Sequence, residues 1–367
     1  MREYIDGSAA IVRGALDAGC TFFAGYPITP ASSILMAMMQ ELPKTGGVAI
    51  QGEDEIASIG MCIGAALSGA RAMTATSGPG ISLYSENLGL AVMGEVPLVV
   101  VDVQRLGPST GGATTVSQGD VQFVRWGTAG GYPIIALSPS TVTEAYWLTA
   151  KAFQLAERFR CPVFLLTDKD LATTLTTVEL SAYPTVDVPS RKKAVAGPPY
   201  RYDPADAVFG LHEFGGDRTV RFTGSTHDED GYITKNTATI AALNRHLAAK
   251  IEDHRDEIEL VDADLQPGAS TLIVGYGATG GPTRAAVARA REAGGKASAL
   301  VVHSLWPVPE AALAEALVDV DRVIVPELNL GLYRREIERL APGLQVIGVN
   351  KVDGEMIGPA EILEAMP

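Results

Sequence analysis

The sequence predicts an α/β fold built on mainly parallel sheets and divided into two domains. Three observations carry that prediction. Short apolar, β-branched runs alternate with helix-like stretches, the pattern of strand–helix–strand units. At 367 residues the chain exceeds one average domain. Between about 173 and 265 the texture breaks: Pro184, Pro189, Pro198, Pro199 and Pro204 interrupt the periodicity, as in an extended surface connection. The expected divisions are a first domain over 1–190, a connecting segment over 191–265 and a second domain over 266–367.

A first helix is expected over 9–19, then the strand 22–25, which ends in the loop Tyr26-Pro27-Ile28-Thr29-Pro30. A helix over 32–42, a strand over 48–51 and a helix rich in small residues over 54–68 follow. The strand 71–76 turns through Ser77-Gly78-Pro79-Gly80 into a helix near 82–92. Residues 97–103 read as a buried strand, and 132–137 and 163–167 as strands flanking a helix near 141–158. A helix near 236–256 interrupts the connection, with the small basic cluster Arg191-Lys192-Lys193 ahead of it. Strands over 271–275, 299–303, 322–326 and 344–349 build the second domain.

Composition narrows the function. Hydrophobic residues make up 47% and charged residues 20%, enough for a large core without staples. The 29 basic and 43 acidic residues leave a net charge of −14, which argues against nucleic acid or an anionic membrane as partner. Cys20, Cys62 and Cys161 are far apart, so neither an iron–sulfur cluster held by this chain alone nor a disulfide framework is expected. No basic-then-apolar leader and no membrane-length apolar run is seen, so the chain reads as cytoplasmic.

Several motifs can carry chemistry. Gly275-Tyr-Gly277-Ala-Thr-Gly280 matches a dinucleotide fingerprint, yet the next strand ends at Val302-His303-Ser304 without the acid that would bind a ribose, which favours a plain strand-to-helix turn. Tyr26–Pro30 sits at a strand's carboxyl end, where two prolines fix the backbone around Thr29 as a ligand loop or as a stiff turn. Glu53-Asp54-Glu55 opens a helix, and capping accounts for any one of these acids. The stretch 56–67 is nearly all apolar or small, so it is expected to be buried, with Glu55 poorly solvated at its mouth. Arg105 ends a buried strand beside a Gly-rich loop and is suited to clamping a carboxylate or to a structural ion pair, with Ser117-Gln118-Gly119-Asp120 as further polar lining. His227-Asp228-Glu229-Asp230 lacks metal-ligand spacing and reads as a loop; no metal site is expected on this chain.

Taken together, Gly25–Pro30, Glu53–Ile59, Thr76–Gly80, Val103–Thr110, Arg125–Gly127, Pro326–Gly331 and Asn350–Gly354 resemble, in order, the α subunits of the 2-oxoacid:ferredoxin oxidoreductases, particularly the 2-oxoglutarate synthase branch. The resemblance implies a pyrimidine-type thiamine diphosphate domain followed by a transketolase C-terminal-like α/β domain. It implies oxidative decarboxylation of a 2-oxoacid, transfer of the acyl group to coenzyme A and reduction of ferredoxin. Counting back nine residues from Gly64, as in related thiamine enzymes, places the coenzyme-activating acid at Glu55, with Glu53 in reserve. Thr29, Arg105 and Thr110 correspond to positions beside the substrate, and Tyr26, Pro27, Ile28 and Gly78 to positions beside the coenzyme. The chain contains no G-D-G segment for a magnesium-bound diphosphate. Mg²⁺ and a [4Fe–4S] cluster are therefore expected on a β subunit, in an α₂β₂ assembly.

Leu106 and Gly111–Thr115 depart from the family's usual residues beside the substrate side chain, which leaves the 2-oxoacid open between 2-oxoglutarate, pyruvate and a branched-chain acid; Leu332 departs too, which leaves its turn without an assigned role. Two rivals remain: the pyrimidine half of another thiamine enzyme, and a non-catalytic binding module whose acidic surface docks a partner.

Overall fold

The computed structural model describes every residue except 1, 192, 195, 202–207 and 209. In chain order the strands are β1 (Arg2–Ile5), β2 (Phe22–Gly25), β3 (Val48–Gln51), β4 (Ala72–Thr76), β5 (Leu98–Gln104), β6 (Ile135–Leu137), β7 (Pro162–Asp168), β8 (Thr176–Glu179), β9 (Val261–Asp264), β10 (Thr271–Tyr276), β11 (Ser298–Val302), β12 (Ser304–Trp306), β13 (Arg322–Glu327) and β14 (Gln345–Asn350).

The first sheet has the order β12-β6-β7-β5-β4-β2-β3, parallel except for β12. Along β5 the side chains alternate between two cores. Val99, Val101 and Val103 join the helices Gly7–Asp17 and Val142–Phe159 on one face; Leu98 and Val100 join the core on the other. A strand covered on both faces needs this unbroken apolar run. The second core does not stop at the first sheet. It continues through Leu272, Val274, Tyr276 and Val302 of the second sheet, whose order is β14-β13-β10-β11-β9.

Three features were not anticipated. β1 pairs antiparallel with β8, closing the first region on itself. β12 follows the second sheet's β11 in sequence but pairs with β6 of the first, and the Trp306 indole donates to the Val121 carbonyl at 3.0 Å. The connection is anchored rather than merely laid over the surface. Its helix Thr237–Glu252 places Lys250 and His246 each 2.9 Å from the buried Glu95 carboxylate. Arg191, read as part of a basic cluster, forms a buried pair with Glu157 at 2.6 Å and donates to the Ala66 and Ala70 carbonyls. Among the described residues no helix is long and apolar enough to cross a membrane.

Candidate active site

The chain runs from β2 outward to β3 and then back across to β4, so strand order reverses between β2 and β4. A crevice forms at such a reversal, beyond the carboxyl ends of the strands. The loops Tyr26–Pro30, Glu53–Glu55, Ser77–Gly80 and the one starting at Arg105 all leave from those ends.

The three acids after β3 have three different environments. Glu53 is exposed. Asp54 is the cap of the helix Glu55–Leu67, its carboxylate accepting from the Ala57 amide at 2.7 Å. Glu55 is only 7% exposed, at the first turn. The Ser77–Gly80 turn lies against it: a Cβ at Gly80 would stand 2.1 Å from Thr76 Oγ1 and 2.9 Å from Glu55 Oε1, so a larger residue would intrude on the acid. The helix is not buried all round, contrary to expectation. Ile59, Cys62, Ile63 and Ala66 face the core, whereas Ile56 is 50% exposed and Gly60 and Gly64 face outward. A stretch apolar on every side has no periodicity to reveal its open face.

Arg105 is buried between two loops. Its Nη1 donates to the Thr29 carbonyl at 2.5 Å and its Nη2 to the Thr110 carbonyl at 3.1 Å, while its buried Nε has no acceptor. The guanidinium therefore fixes both loops and keeps donors to spare. The Thr29 and Thr110 side chains are exposed. Gly111, at φ +46, closes the second loop where a Cβ would sit 1.8 Å from the Leu106 carbonyl oxygen. Tyr26 and Pro27 are exposed and Ile28 is half-buried at the crevice mouth.

Arg105 and Gly78 also wall a cavity of about 700 Å³, with Ser82, Ser117, Gly119, Asp120 and Phe123 from the first region. Asn329, Leu330, Leu332 and Val352 complete it from the turns after β13 and β14, which sequence reasoning left without a role. Those turns are held firmly. The Gln118 amide donates to the Leu328 carbonyl and the Leu328 amide to Gln118 Oε1, both at 3.0 Å. Buried Glu327 accepts from Tyr276 Oη and the Tyr333 amide, each at 2.8 Å. Orphaned buried polar atoms gather at this edge of the sheet: Thr76 Oγ1, Ser77 Oγ, both Asp102 carboxyl oxygens, Arg105 Nε and Asp120 Oδ2. Buried polar groups usually find partners, so such a cluster is fitted to receive a polar ligand.

The G-x-G-x-x-G turn is already filled by protein. Asp168 accepts from the Ala278 amide at 3.1 Å and caps its own helix through the Leu171 amide at 2.9 Å. A Cβ at Gly280 would meet Ser140 Oγ at 2.3 Å. The Ala278 amide, which would face a pyrophosphate, instead docks the second sheet on the first. In the acidic loop, Asp228 Oδ1 accepts the Asp230 and Tyr232 amides.

Comparison with known proteins identifies the family. Residues 13–245 match the family model described as pyruvate flavodoxin/ferredoxin oxidoreductase, thiamine diphosphate-binding, and residues 269–362 match pyruvate:ferredoxin oxidoreductase core domain II. A solved 2-oxoglutarate:ferredoxin oxidoreductase from Magnetococcus marinus, with 2-oxoglutarate, coenzyme A and succinyl-CoA bound, superposes with TM-score 0.92 at 32% identity, covering 99% of this chain. This chain spans 64% of that one. A split-gene transketolase shares the fold at TM-score 0.54 and 13% identity. Fold and family models thus place the chain among thiamine diphosphate-binding oxidoreductase subunits. The chain belongs to the pyruvate flavodoxin/ferredoxin oxidoreductase family. Within it, 2-oxoglutarate synthase subunit KorA of Methanocaldococcus jannaschii is 42% identical over 99% of both chains, and ketoisovalerate oxidoreductase subunit VorB of Methanothermobacter thermautotrophicus is 35% identical over 99% of this chain and 96% of its own.

Proposed function

We propose that this chain is the α subunit of a 2-oxoglutarate:ferredoxin oxidoreductase, which forms succinyl-CoA and reduces ferredoxin in an α₂β₂ assembly with a β subunit. Residues 1–190 serve as the pyrimidine-type domain, 191–265 as the connection and 266–367 as the transketolase C-terminal-like domain. The observation that carries the reading is a buried acid, Glu55, at a sheet crevice, with the Ser77–Gly80 turn lying against both it and a buried arginine, Arg105, whose Nε is unused. When bound, thiamine diphosphate supplies the carbon that adds to the 2-oxoacid carbonyl and accepts the electrons left as carbon dioxide departs. Glu55 holds the proton exchanged with its aminopyrimidine, because a carboxyl shielded from water binds such a ring nitrogen without competition. Tyr26, Pro27, Ile28 and Gly78 shape the space around the coenzyme. Arg105 orients the substrate carboxylate, and Thr29 and Thr110 flank it on the loops Arg105 ties down.

Mg²⁺ with the diphosphate half-site and a [4Fe–4S] cluster belong to the β subunit in this reading. The three cysteines here support that assignment. Burial raises the Cys20 thiol to about 12 and Cys161 to about 11, and raises Cys62 further still, so none is poised as a thiolate ligand. A second substrate reading, a branched-chain 2-oxoacid, draws on the apolar part of the cavity wall, Leu106, Phe123, Leu330, Leu332 and Val352. The test is the complex reconstituted with its β subunit and assayed by viologen reduction with 2-oxoglutarate, pyruvate and 2-oxoisovalerate in the presence of coenzyme A. The highest kcat/KM is expected with 2-oxoglutarate, and Glu55→Gln is expected to abolish turnover. Near-normal rates for Glu55→Gln would remove Glu55 from its role; preference for 2-oxoisovalerate would overturn the substrate assignment.

A further inference from the structure

Asp102 lies on β5, fully buried, and neither of its carboxyl oxygens receives a hydrogen bond. Asp120, in the cavity wall, has an orphaned Oδ2, and the two carboxyls lie within hydrogen-bond reach of each other. A buried carboxylate in contact with a second carboxylate is repelled by it, whereas one O–H placed between Asp102 and Asp120 Oδ2 removes the repulsion and gives both a partner. Among the described residues, the charged group acting on the pair is Arg105, and it acts on Asp120. Flanking strands bring Thr76 from β4 and Leu166 from β7 beside Asp102. The Gly78 amide lies close to Asp102, and the Asp120 amide is held by Gln104 Oε1 at 3.1 Å. Burial first, and then the neighbouring Asp120, raise Asp102 well above the usual carboxylate range. Asp102 therefore keeps the proton and Asp120 the charge.

We infer that Asp102 and Asp120 form a carboxyl pair bridged by a single proton beside Arg105, and that this pair sets the charge of the cavity so that a dianionic 2-oxoacid is accepted. The inference deepens the proposed function and rests on it; both aspartates are positioning residues. With one shared proton, the pair's single negative charge balances Arg105. Removing that proton leaves a net negative charge where an anionic substrate must enter, and at protein dielectric values one such charge weakens binding of each nearby carboxylate by roughly tenfold. The penalty is larger for 2-oxoglutarate than for pyruvate, which has one carboxylate fewer.

Infrared spectroscopy of the full chain tests the pair directly. A protonated-carboxyl band that shifts in D₂O should persist at neutral pH and disappear in Asp102→Asn. In the reconstituted complex, KM for 2-oxoglutarate should rise roughly tenfold or more as the pair loses its proton, with kcat changing less and KM for pyruvate rising less. Asp102→Asn keeps an N–H donor on Asp120 and cannot ionise, so it should flatten the rise. If that variant does not fold, pH titration of the wild-type band against the wild-type KM profile decides the matter. Absence of the band overturns the pair. A band present with a KM profile that ignores its titration, or that is the same in both proteins, overturns the role in substrate charge. A complex that shows the band but turns over no 2-oxoacid overturns the proposed function and this role with it, a result distinct from a missing band.

Discussion

Gly80→Ala probes how Glu55 is seated. The added methyl would stand 2.1 Å from Thr76 Oγ1, 2.9 Å from Glu55 Oε1 and 3.0 Å from Glu55 Cγ. Non-bonded atoms settle at about 3.5 Å. The buried Thr76 hydroxyl must therefore rotate away, and the Glu55 carboxyl, at the end of a flexible side chain, must retreat by roughly half an ångström. Overpacking of this kind costs about 1–3 kcal/mol, while alanine recovers up to about 1 kcal/mol over glycine in a helical turn. The net effect on the fold is small. Catalysis is less tolerant, since a misplacement of about 1 Å costs on the order of 100-fold. The reconstituted complex should lose about 10- to 100-fold in kcat, while the melting temperature moves by only a few degrees. Unchanged turnover in a normally folded variant would refute the argument that this turn positions Glu55.

Arg105→Lys keeps the charge but cannot hold the Thr29 and Thr110 carbonyls with one planar fork; KM for the 2-oxoacid should rise at least about tenfold, measured by steady-state kinetics. Glu95→Gln leaves Lys250 buried without its counter-charge, and chemical denaturation at neutral pH should show a loss of about 3 kcal/mol. Burial alone would raise the Glu95 carboxyl, but Lys250, His246 and Arg160 outweigh burial and hold it down at about 2, from the usual 4.5. A carboxyl depressed by folding contributes its stability above 4.5 and loses it as pH falls from there towards 2, so the wild type should weaken across that window more steeply than Glu95→Gln. Gly64→Ala meets open space in the isolated chain, so its melting temperature should rise, in line with up to about 1 kcal/mol of helix propensity.

Local chemistry made much of this molecule legible. The parallel strands of both sheets were readable because each is a short apolar run between turn residues, and Glu55 and Arg105 because each ends or begins an element at a carboxyl edge. The missing parts depend on long-range assembly. β12 is three residues whose partner, β6, lies about 170 positions earlier, and nothing local distinguishes it from a loop. Asn329 and Leu330 reach the cavity next to Leu328, which is clamped to Gln118, 210 residues away, and Val352 reaches it from the turn after β14.

Asp168 shows most directly why a motif cannot be interpreted apart from its fold. Like Asp54 it caps a helix, through its Oδ1. Its Oδ2 reaches 110 residues along the chain to the Ala278 amide, in the glycine-rich turn that matches a dinucleotide fingerprint but whose missing acid favours a plain bend. A helix-opening turn offers positive amides to any anion within reach. In this protein the anion is a side chain of the other sheet, so the glycines that would admit a pyrophosphate instead allow two domains to approach closely, and that approach brings the turns after β13 and β14 over Arg105.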